Sequence, residues 1–307
     1  MRYKFYTADV FTDKIFGGNQ LAVFPYAEGL NSQQMQKVAA EFNLSEVVFV
    51  FVPRKPEYHR YLRIFTPKTE LPFAGHPTLG AAYVLTAIQD IPLINNFRSI
   101  VFEEGVGEVM VNVSGTNGVP LYSELTAAQL PQFGPEPPPL AALAAMLSLD
   151  VSDLLTGDNS PQAVSCGLPF LFIPLRNPDA VSRVKLNRQL WEELLASYWA
   201  PHVYVFADNQ NLQSSKFQAR MFAPALGVDE DPATGSAATA LAGYLATRHQ
   251  LTDGTIIWLV EQGIEMGRPS LLKVQADKKN GFIQSIRVGG ASVLVGEGTM
   301  EIPAINS

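Results

Sequence analysis

The sequence predicts an α+β protein built as two related halves, each a set of strands wrapped around one buried helix. Three observations predict it. One local plan occurs twice: Arg63-Ile-Phe-Thr-Pro leads into Pro72-Phe-Ala-Gly-His-Pro-Thr78, and about half a chain later Arg220-Met-Phe-Ala-Pro leads into Asp231-Pro-Ala-Thr-Gly-Ser236. Each copy opens a helix of small and apolar residues, from about Thr78 and from about Gly235, whose composition suits burial on every side. The remainder reads as many strands and few short helices, unlike a doubly wound fold, whose surface helices carry polar faces.

Taken in order, Tyr3–Phe5 and Gln20–Phe24 are predicted strands around the loop Phe16-Gly-Gly-Asn-Gln20, where glycine permits a positive φ or a close backbone approach. Asn31 or Ser32 caps a helix with Met35, Val38, Ala39 and Phe42 on one face. Val47–Val52 is an unbroken apolar run, the pattern of a strand covered on both faces. Tyr61–Phe65 is the strand before the first helix start. Ser99–Glu103 and Glu108–Val113 pair around Gly105-Val-Gly107, and Ser114–Gly118 is the expected crossing between halves. Leu140–Leu149 and Leu190–Tyr198 read as helices, and Ser165–Pro174, Val203–Phe206 and Phe217–Phe222 as strands. From Thr255 strands alternate with Gly turns. Residues 1–116 and 117–307 are the predicted domains, the last strand, about 291–303, being a candidate to pack back onto the first.

The composition sets bounds on function. With 307 residues, 47% apolar and 17% charged, the chain suits two globular domains with cores of their own. A net charge of −7 argues against a nucleic-acid partner or an anionic membrane surface. The single Cys166 excludes an intramolecular disulfide, a multi-thiolate zinc site and a two-thiol catalytic pair within one chain. His59, His202 and His249 show no metal-ligand spacing with His76, and neither a Gly-x-Gly-x-x-Gly nor a Walker loop occurs, so neither metal nor cofactor is expected. Met1–Phe5 leads directly into a strand pattern without an apolar signal region, and no apolar run reaches membrane-spanning length; the cytoplasm is the expected location.

Gly75, His76 and Thr78 fall at a helix start, where amides without intrahelical acceptors bind anions. Glu46 stands at the mouth of the buried strand beside Leu44, Val47 and Val48. Read from its residues alone, it fits an ordinary strand-end carboxylate as well as an acid/base whose pKa burial raises toward neutrality. His76 fits either a neutral hydrogen-bonding partner, its protonated form disfavoured by the helix N-terminus, or a buried structural histidine. Asp231 and Ser236 suit helix capping, and equally a site in which Asp231 holds an amine or hydroxyl while Ser236 and the Gly235 amide hold a carboxylate. Asn19, Ser45, Gly75 and Thr78 are further site candidates. Arg63, Arg220 and Arg268 suit structural ion pairs.

Gly18-Asn-Gln-Leu-Ala-Val-Phe24, Leu44-Ser-Glu46, Phe73-Ala-Gly-His-Pro-Thr78, Asp231-Pro-Ala-Thr-Gly-Ser-Ala237 and Met266-Gly-Arg-Pro-Ser270 together resemble the PhzF-like proteins of the diaminopimelate-epimerase-like superfamily. The resemblance spans the chain in order; Gln20 departs from it, standing where proline is expected. It implies two pseudo-symmetric β-barrels, each closed around one helix, with the site between them. It also implies a cofactor-free isomerase acting on a small carboxylate-bearing substrate, dihydro-hydroxyanthranilate-like or amino-acid-like. Glu46 is its implied acid/base and Asp231 an implied substrate-site residue; with His76, read from its place at the helix start, they form the expected catalytic set, in which His76 and Asp231 either transfer protons or bind substrate. The thiols of the racemase branch align with Ala74 and Ala233, which cannot move protons. A thiol-independent epimerase, or a binding protein with low turnover on the same scaffold, is the alternative. With its apolar strands, the resemblance also implies a homodimer.

Overall fold

The computed structural model describes residues 1–208, 212 and 215–303, and its secondary structure forms two compact units. The first comprises residues 1–126 and the last part of the chain, from Gly289 onward. It contains β1 (Arg2–Val10), β2 (Asn19–Phe24), α1 (Ser32–Phe42), β3 (Glu46–Phe51), β4 (Arg60–Phe65), β5 (Glu70–Leu71), α2 (Gly75–Ala87), β6 (Phe97–Glu104), β7 (Gly107–Thr116) and β8 (Val119–Thr126). The second, Ala127–Val288, contains β9 (Gln132–Phe133), α3 (Leu140–Leu147), β10 (Gln162–Ser165), β11 (Pro169–Pro174), α4 (Pro178–Arg183) and α5 (Arg188–Leu195). It continues with β12 (His202–Ala207), β13 (Lys216–Ala223), β14 (Val228–Asp231), α6 (Gly235–Arg248), β15 (Gly254–Gln262), β16 (Ser270–Lys279) and most of β17 (Phe282–Gly290). The chain returns to the first unit with β18 (Ser292–Glu301), antiparallel to β1. No helix among the described residues is long and apolar enough to cross a membrane.

In the first unit the ladder runs β18, β1, β2, β3, β4, β6, β7, β8, with β2–β3 and β4–β6 parallel and the other pairs antiparallel. β8 lies against β18, so the ladder closes around α2. That helix packs on β1, β2, β3, β7, β8 and β18, and every residue from Gly75 to Thr86 is buried. Gly80 permits the close approach: a Cβ there would stand 2.4 Å from Leu21 Cδ2 and 2.7 Å from Val10 Cγ2. α1 covers the outside, placing Met35, Val38 and Ala39 against Phe24, Val47, Phe49 and Phe65. A capping box between Asn31 and Gln34 starts it, as the sequence pattern indicates.

The second unit repeats the plan. β10–β11 is antiparallel, β11–β12 parallel, β12–β13 antiparallel, β13–β15 parallel and β15–β16 antiparallel, matching β1–β2, β2–β3, β3–β4, β4–β6 and β6–β7. α6 takes the place of α2, packed on β10, β11, β15 and β16, while α3, α4 and α5 cover the outer face. The repeated arginines have one job in both copies. Arg63 makes a two-pronged pair with Glu70 (Nε to Oε1 and Nη2 to Oε2, both 2.6 Å) and lies 5.2 Å from the Phe65 ring. Arg220 pairs the same way with Glu230 (2.7 and 2.9 Å) and lies 5.0 Å from the Phe222 ring. Each pair fastens the short strand that leads into the buried helix.

Two local expectations change. Asn117 and Gly118 both take positive φ, at 53° and 78°, the geometry of a tight hairpin between β7 and β8, so this turn stays inside the first unit instead of carrying the chain across. Ser165–Pro174 is not one strand: Ser165 ends β10, Gly167 (φ 128°) turns the chain, and only Pro169–Pro174 forms β11, antiparallel to β10.

Candidate active site

Strand alternation decides which way Glu46 faces. Val47 and Phe49 of β3 point outward to α1, so Glu46 shares the opposite face with Val48, toward α2. Leu21 on the parallel neighbour β2 stands opposite Glu46, and Asn19, two residues earlier, lies on the same inner face as Leu21. The two polar side chains therefore flank the first turn of α2. His76, the second residue of that helix, lies with its Nε2 3.3 Å from Glu46 Oε2 and its Nδ1 3.4 Å from Asn19 Nδ2. Gly18 makes this entry possible: its φ is +61°, and a Cβ would stand 2.3 Å from the Val10 carbonyl oxygen.

His76 is 6% exposed, and burial pulls its pKa down to about 3 against a backbone hydrogen bond with Gln20 that favours a protonated ring nitrogen. The imidazole is neutral, and burial is the main cause. Its two tautomers serve both states of Glu46. The Nε2–Oε2 contact lacks hydrogen-bond geometry as it stands, but a small rotation of the ring supplies it: protonated on Nε2, the ring then donates to the Glu46 carboxylate, and protonated on Nδ1, toward Gln20, its Nε2 accepts from a Glu46 carboxylic acid. The Glu46 side chain is 16% exposed, open enough to meet a small molecule.

The start of α2 has no side-chain cap on Ala74, so the Gly75 and His76 amides have no acceptor within the helix, and Pro77 has no amide to offer. Ser45 precedes β3 and is half-buried. The Thr78 hydroxyl is engaged inside the protein, within 2.8 Å of the Ala74 carbonyl and 2.7 Å of Glu104 Oε1.

The second unit has an equivalent helix start. Asp231, ending β14, is 8% exposed and its carboxylate accepts from the Thr234 hydroxyl. Gln262 on β15 spans the turn: its amide donates to the Asp231 carbonyl (2.8 Å) and to Thr234 Oγ1 (3.0 Å), and its oxygen accepts from the Tyr204 hydroxyl (3.1 Å). Burial and the neighbouring Asp231 push the Tyr204 phenol up, so it is neutral. Ser270 Oγ donates to the Pro232 carbonyl at 2.9 Å. α6 likewise starts without a side-chain cap, and from Asp231 to Ala246 Ser236 alone is not buried. Gly235 and Ser236 thus present an amide and a hydroxyl at an uncapped helix start.

The expected residues group by unit: Asn19, Ser45, Glu46, Gly75, His76 and Thr78 in the first, Asp231, Gly235 and Ser236 in the second. Sequence reasoning missed Glu104, Thr234, Gln262 and Tyr204. Glu104 had one available signal: adjacent carboxylates at a strand end face opposite sides, so one of Glu103 and Glu104 must turn inward. Among the described residues no group of three His, Cys, Asp or Glu is arranged to hold a metal ion. A cavity of about 770 Å³ lined by Arg248, His249 and Trp258 sits at the far end of α6, away from its start.

The family model for phenazine biosynthesis-like proteins, PhzC-PhzF, matches residues 8–298. The chain belongs to this family. An uncharacterized isomerase of Mesorhizobium japonicum is 39% identical over 300 residues, covering 96% of this chain and 97% of the relative. Trans-2,3-dihydro-3-hydroxyanthranilate isomerase of Pseudomonas fluorescens is 35% identical over 297 residues, covering 95% and 97%. The chain is an isomerase of the PhzF type. A PhzF-family protein of Bacillus anthracis superimposes with a TM-score of 0.86 at 25% identity over 98% of this chain and 100% of that one. A hydroxyproline epimerase of Agrobacterium vitis, at 11% identity over 97% of this chain and 91% of that one, has a TM-score of 0.65 and shares the epimerase-like fold alone.

Proposed function

We propose that this PhzF-family isomerase moves a proton within one small carboxylate-bearing molecule, with Glu46 as the acid/base. The Glu46–His76–Asn19 chain beside an uncapped helix start carries the reading. The Glu46 carboxylate takes a proton from a substrate carbon, the electron pair of that C–H bond shifts into the adjoining unsaturated system, and the carboxylic acid returns the proton to another carbon. Neutral His76 holds the carboxyl group in both states by exchanging tautomers. The reading gives the Gly75 and His76 amides a carboxylate-holding role in the first unit, with Asn19 and Ser45 as contacts, and in the second unit gives Gly235 and Ser236 a carboxylate-holding role and Asp231 an amine- or hydroxyl-holding one. The substrate class is a dihydro-hydroxyanthranilate, the compound in the name of the Pseudomonas relatives, or an amino-acid-like acid of similar size. The protein is proposed to work as a homodimer in the cytoplasm. A two-thiol racemase mechanism has no groups to use: Ala74 caps α2, Ala233 precedes the cap of α6, and Cys166 lies in the turn between β10 and β11.

The test pairs two substitutions. Glu46→Gln keeps shape and hydrogen-bonding reach but cannot carry the proton, so turnover of trans-2,3-dihydro-3-hydroxyanthranilate falls about a hundredfold or more. Affinity for an unreactive aromatic aminocarboxylate, measured by calorimetry, changes little. Ser236→Ala instead weakens that binding by about 1–3 kcal/mol. Full solvent-deuterium exchange into substrate by Glu46→Gln would exclude Glu46 as the proton carrier.

A further inference from the structure

Glu104 ends β6 behind the start of α2 and is 3% exposed, yet neither the fold nor the proposed proton transfer accounts for it. Among the described residues its surroundings supply no positive charge: burial and the Thr78 hydroxyl are the influences on it. The charged groups of neighbouring elements are engaged elsewhere. Glu103 pairs with Arg54 (2.7 Å), Arg60 of β4 with Asp90 (2.7 Å) and Arg63 of β4 with Glu70; Glu108 of β7 is exposed, Glu46 of β3 lies beside His76, and His76 is neutral. Glu104 Oε2 is buried with no hydrogen-bond partner among the described residues. A charged carboxylate in that position lacks compensation, whereas a carboxylic acid needs none.

Thr78 supplies the second argument. Its Oγ1 lies within hydrogen-bond distance of both the Ala74 carbonyl and Glu104 Oε1, but a hydroxyl has only one hydrogen. The Ala74 carbonyl can only accept. Both contacts are full two-centre hydrogen bonds together only if Glu104 donates; otherwise Thr78 divides one hydrogen between two acceptors. The next residue ties the same segment down: a Cβ on Gly105 would stand 2.7 Å from Pro72 Cα, and the Val106 amide donates to the Pro72 carbonyl at 3.2 Å.

We propose that Glu104 is a positioning residue kept as a neutral carboxylic acid: it donates to Thr78, Thr78 donates to the Ala74 carbonyl, and this relay sets the turn at the start of α2 and keeps negative charge away from the anion-binding amides of Gly75 and His76. The inference rests on the reading that this helix start holds the substrate carboxylate. Burial pushes the Glu104 pKa up to about 8, so the relay is intact at neutral pH. When Glu104 ionises, the Thr78 hydrogen turns from Ala74 to the carboxylate, and a negative charge stands one hydroxyl away from the amides. Substrate affinity then falls while the chemical step at Glu46 is untouched.

The experiment has a substrate-free arm and a kinetic arm. In difference infrared spectra of the whole protein at pH 6.5, Glu104→Gln removes a buried carboxylic-acid C=O band, and in the wild type that band fades as pH rises past about 8. In the kinetic arm, with trans-2,3-dihydro-3-hydroxyanthranilate, wild-type KM rises about tenfold per pH unit above that value with kcat steady. Glu104→Leu raises KM about tenfold already at pH 7, Glu104→Gln recovers it by restoring a neutral donor, and KM in the Gln variant loses its alkaline rise. A missing band, or one that survives Glu104→Gln, overturns the relay. A band that behaves as stated with a KM flat to pH 9 overturns the role in substrate binding. Failure of the proton-transfer reading itself shows separately, as turnover retained by Glu46→Gln.

Discussion

Arg63 and Arg220 occupy the same place in the repeat, and their replacement by methionine should have different consequences. Arg220 is 8% exposed; it forms the two-pronged pair with Glu230, and its Nη1 also donates to the carbonyls of Val181 (3.2 Å), Ser182 (3.4 Å) and Val184 (2.8 Å) around the end of α4. Arg220→Met leaves Glu230, whose side chain is 18% exposed, without its cation, and takes from the Val184 carbonyl the shortest of the bonds that Nη1 shares among the three. Breaking a buried pair on one side costs about 3–5 kcal/mol. Arg63 has the same pair geometry, but the Glu70 side chain is 39% exposed and water can replace the lost partner, so Arg63→Met costs about 1 kcal/mol. All three tryptophans, Trp191, Trp199 and Trp258, lie in the second unit, so urea unfolding followed by tryptophan fluorescence reports on the unit that holds Arg220. Far-ultraviolet circular dichroism covers both units. Adding Glu230→Leu to Arg220→Met should recover part of the loss, since the stranded charge is removed. Equal losses at the two arginines, or a double variant no better than Arg220→Met, would refute the argument that burial sets the difference.

Two further outcomes follow from the sites. Because burial holds His76 neutral, the unfolded chain takes up a proton below its ordinary value near 6.5 while the native state does not; stability is full above that pH and is lost as pH falls toward 3. Between pH 6.5 and 5 this amounts to about 2 kcal/mol, and the wild-type urea midpoint should fall over that range while that of His76→Gln changes less. Gly263 has φ +76°, and a Cβ there would stand 2.5 Å from the Arg268 carbonyl oxygen and 2.6 Å from that of Pro232. Gly263→Ala should therefore cost about 2–4 kcal/mol by thermal denaturation and weaken ligand binding, since Pro232 is the residue after Asp231.

Much of this protein was legible in the sequence because the relevant signals are local. A strand, a turn of restricted residues and a helix of small ones are written in consecutive positions, so both copies of the plan could be read directly. Glu46, His76, Asp231 and Ser236 stood out for the same reason, each lying in a short motif beside a helix start. The arginine pairs were expected in kind, since a buried guanidinium needs a carboxylate, though Glu70 was not named as a partner and Glu230 reads in the sequence as a solvated neighbour of Asp231, whereas its side chain is 18% exposed and holds Arg220. Tertiary structure decided what depends on residues distant in the chain. Asn19 meets His76 across 57 positions because β2 runs parallel to β3 and α2 lies on their inner face. Gln262 reaches Asp231 and Thr234 only because β15 pairs with β13 in parallel and brings its end to that turn. Glu104 looked like one of two ordinary acids at a strand end; burial behind Thr78 made it neutral. Sequence periodicity indicates which face a side chain takes, but whether that face meets water or a hydroxyl with one hydrogen to give is set by packing between elements far apart in the chain.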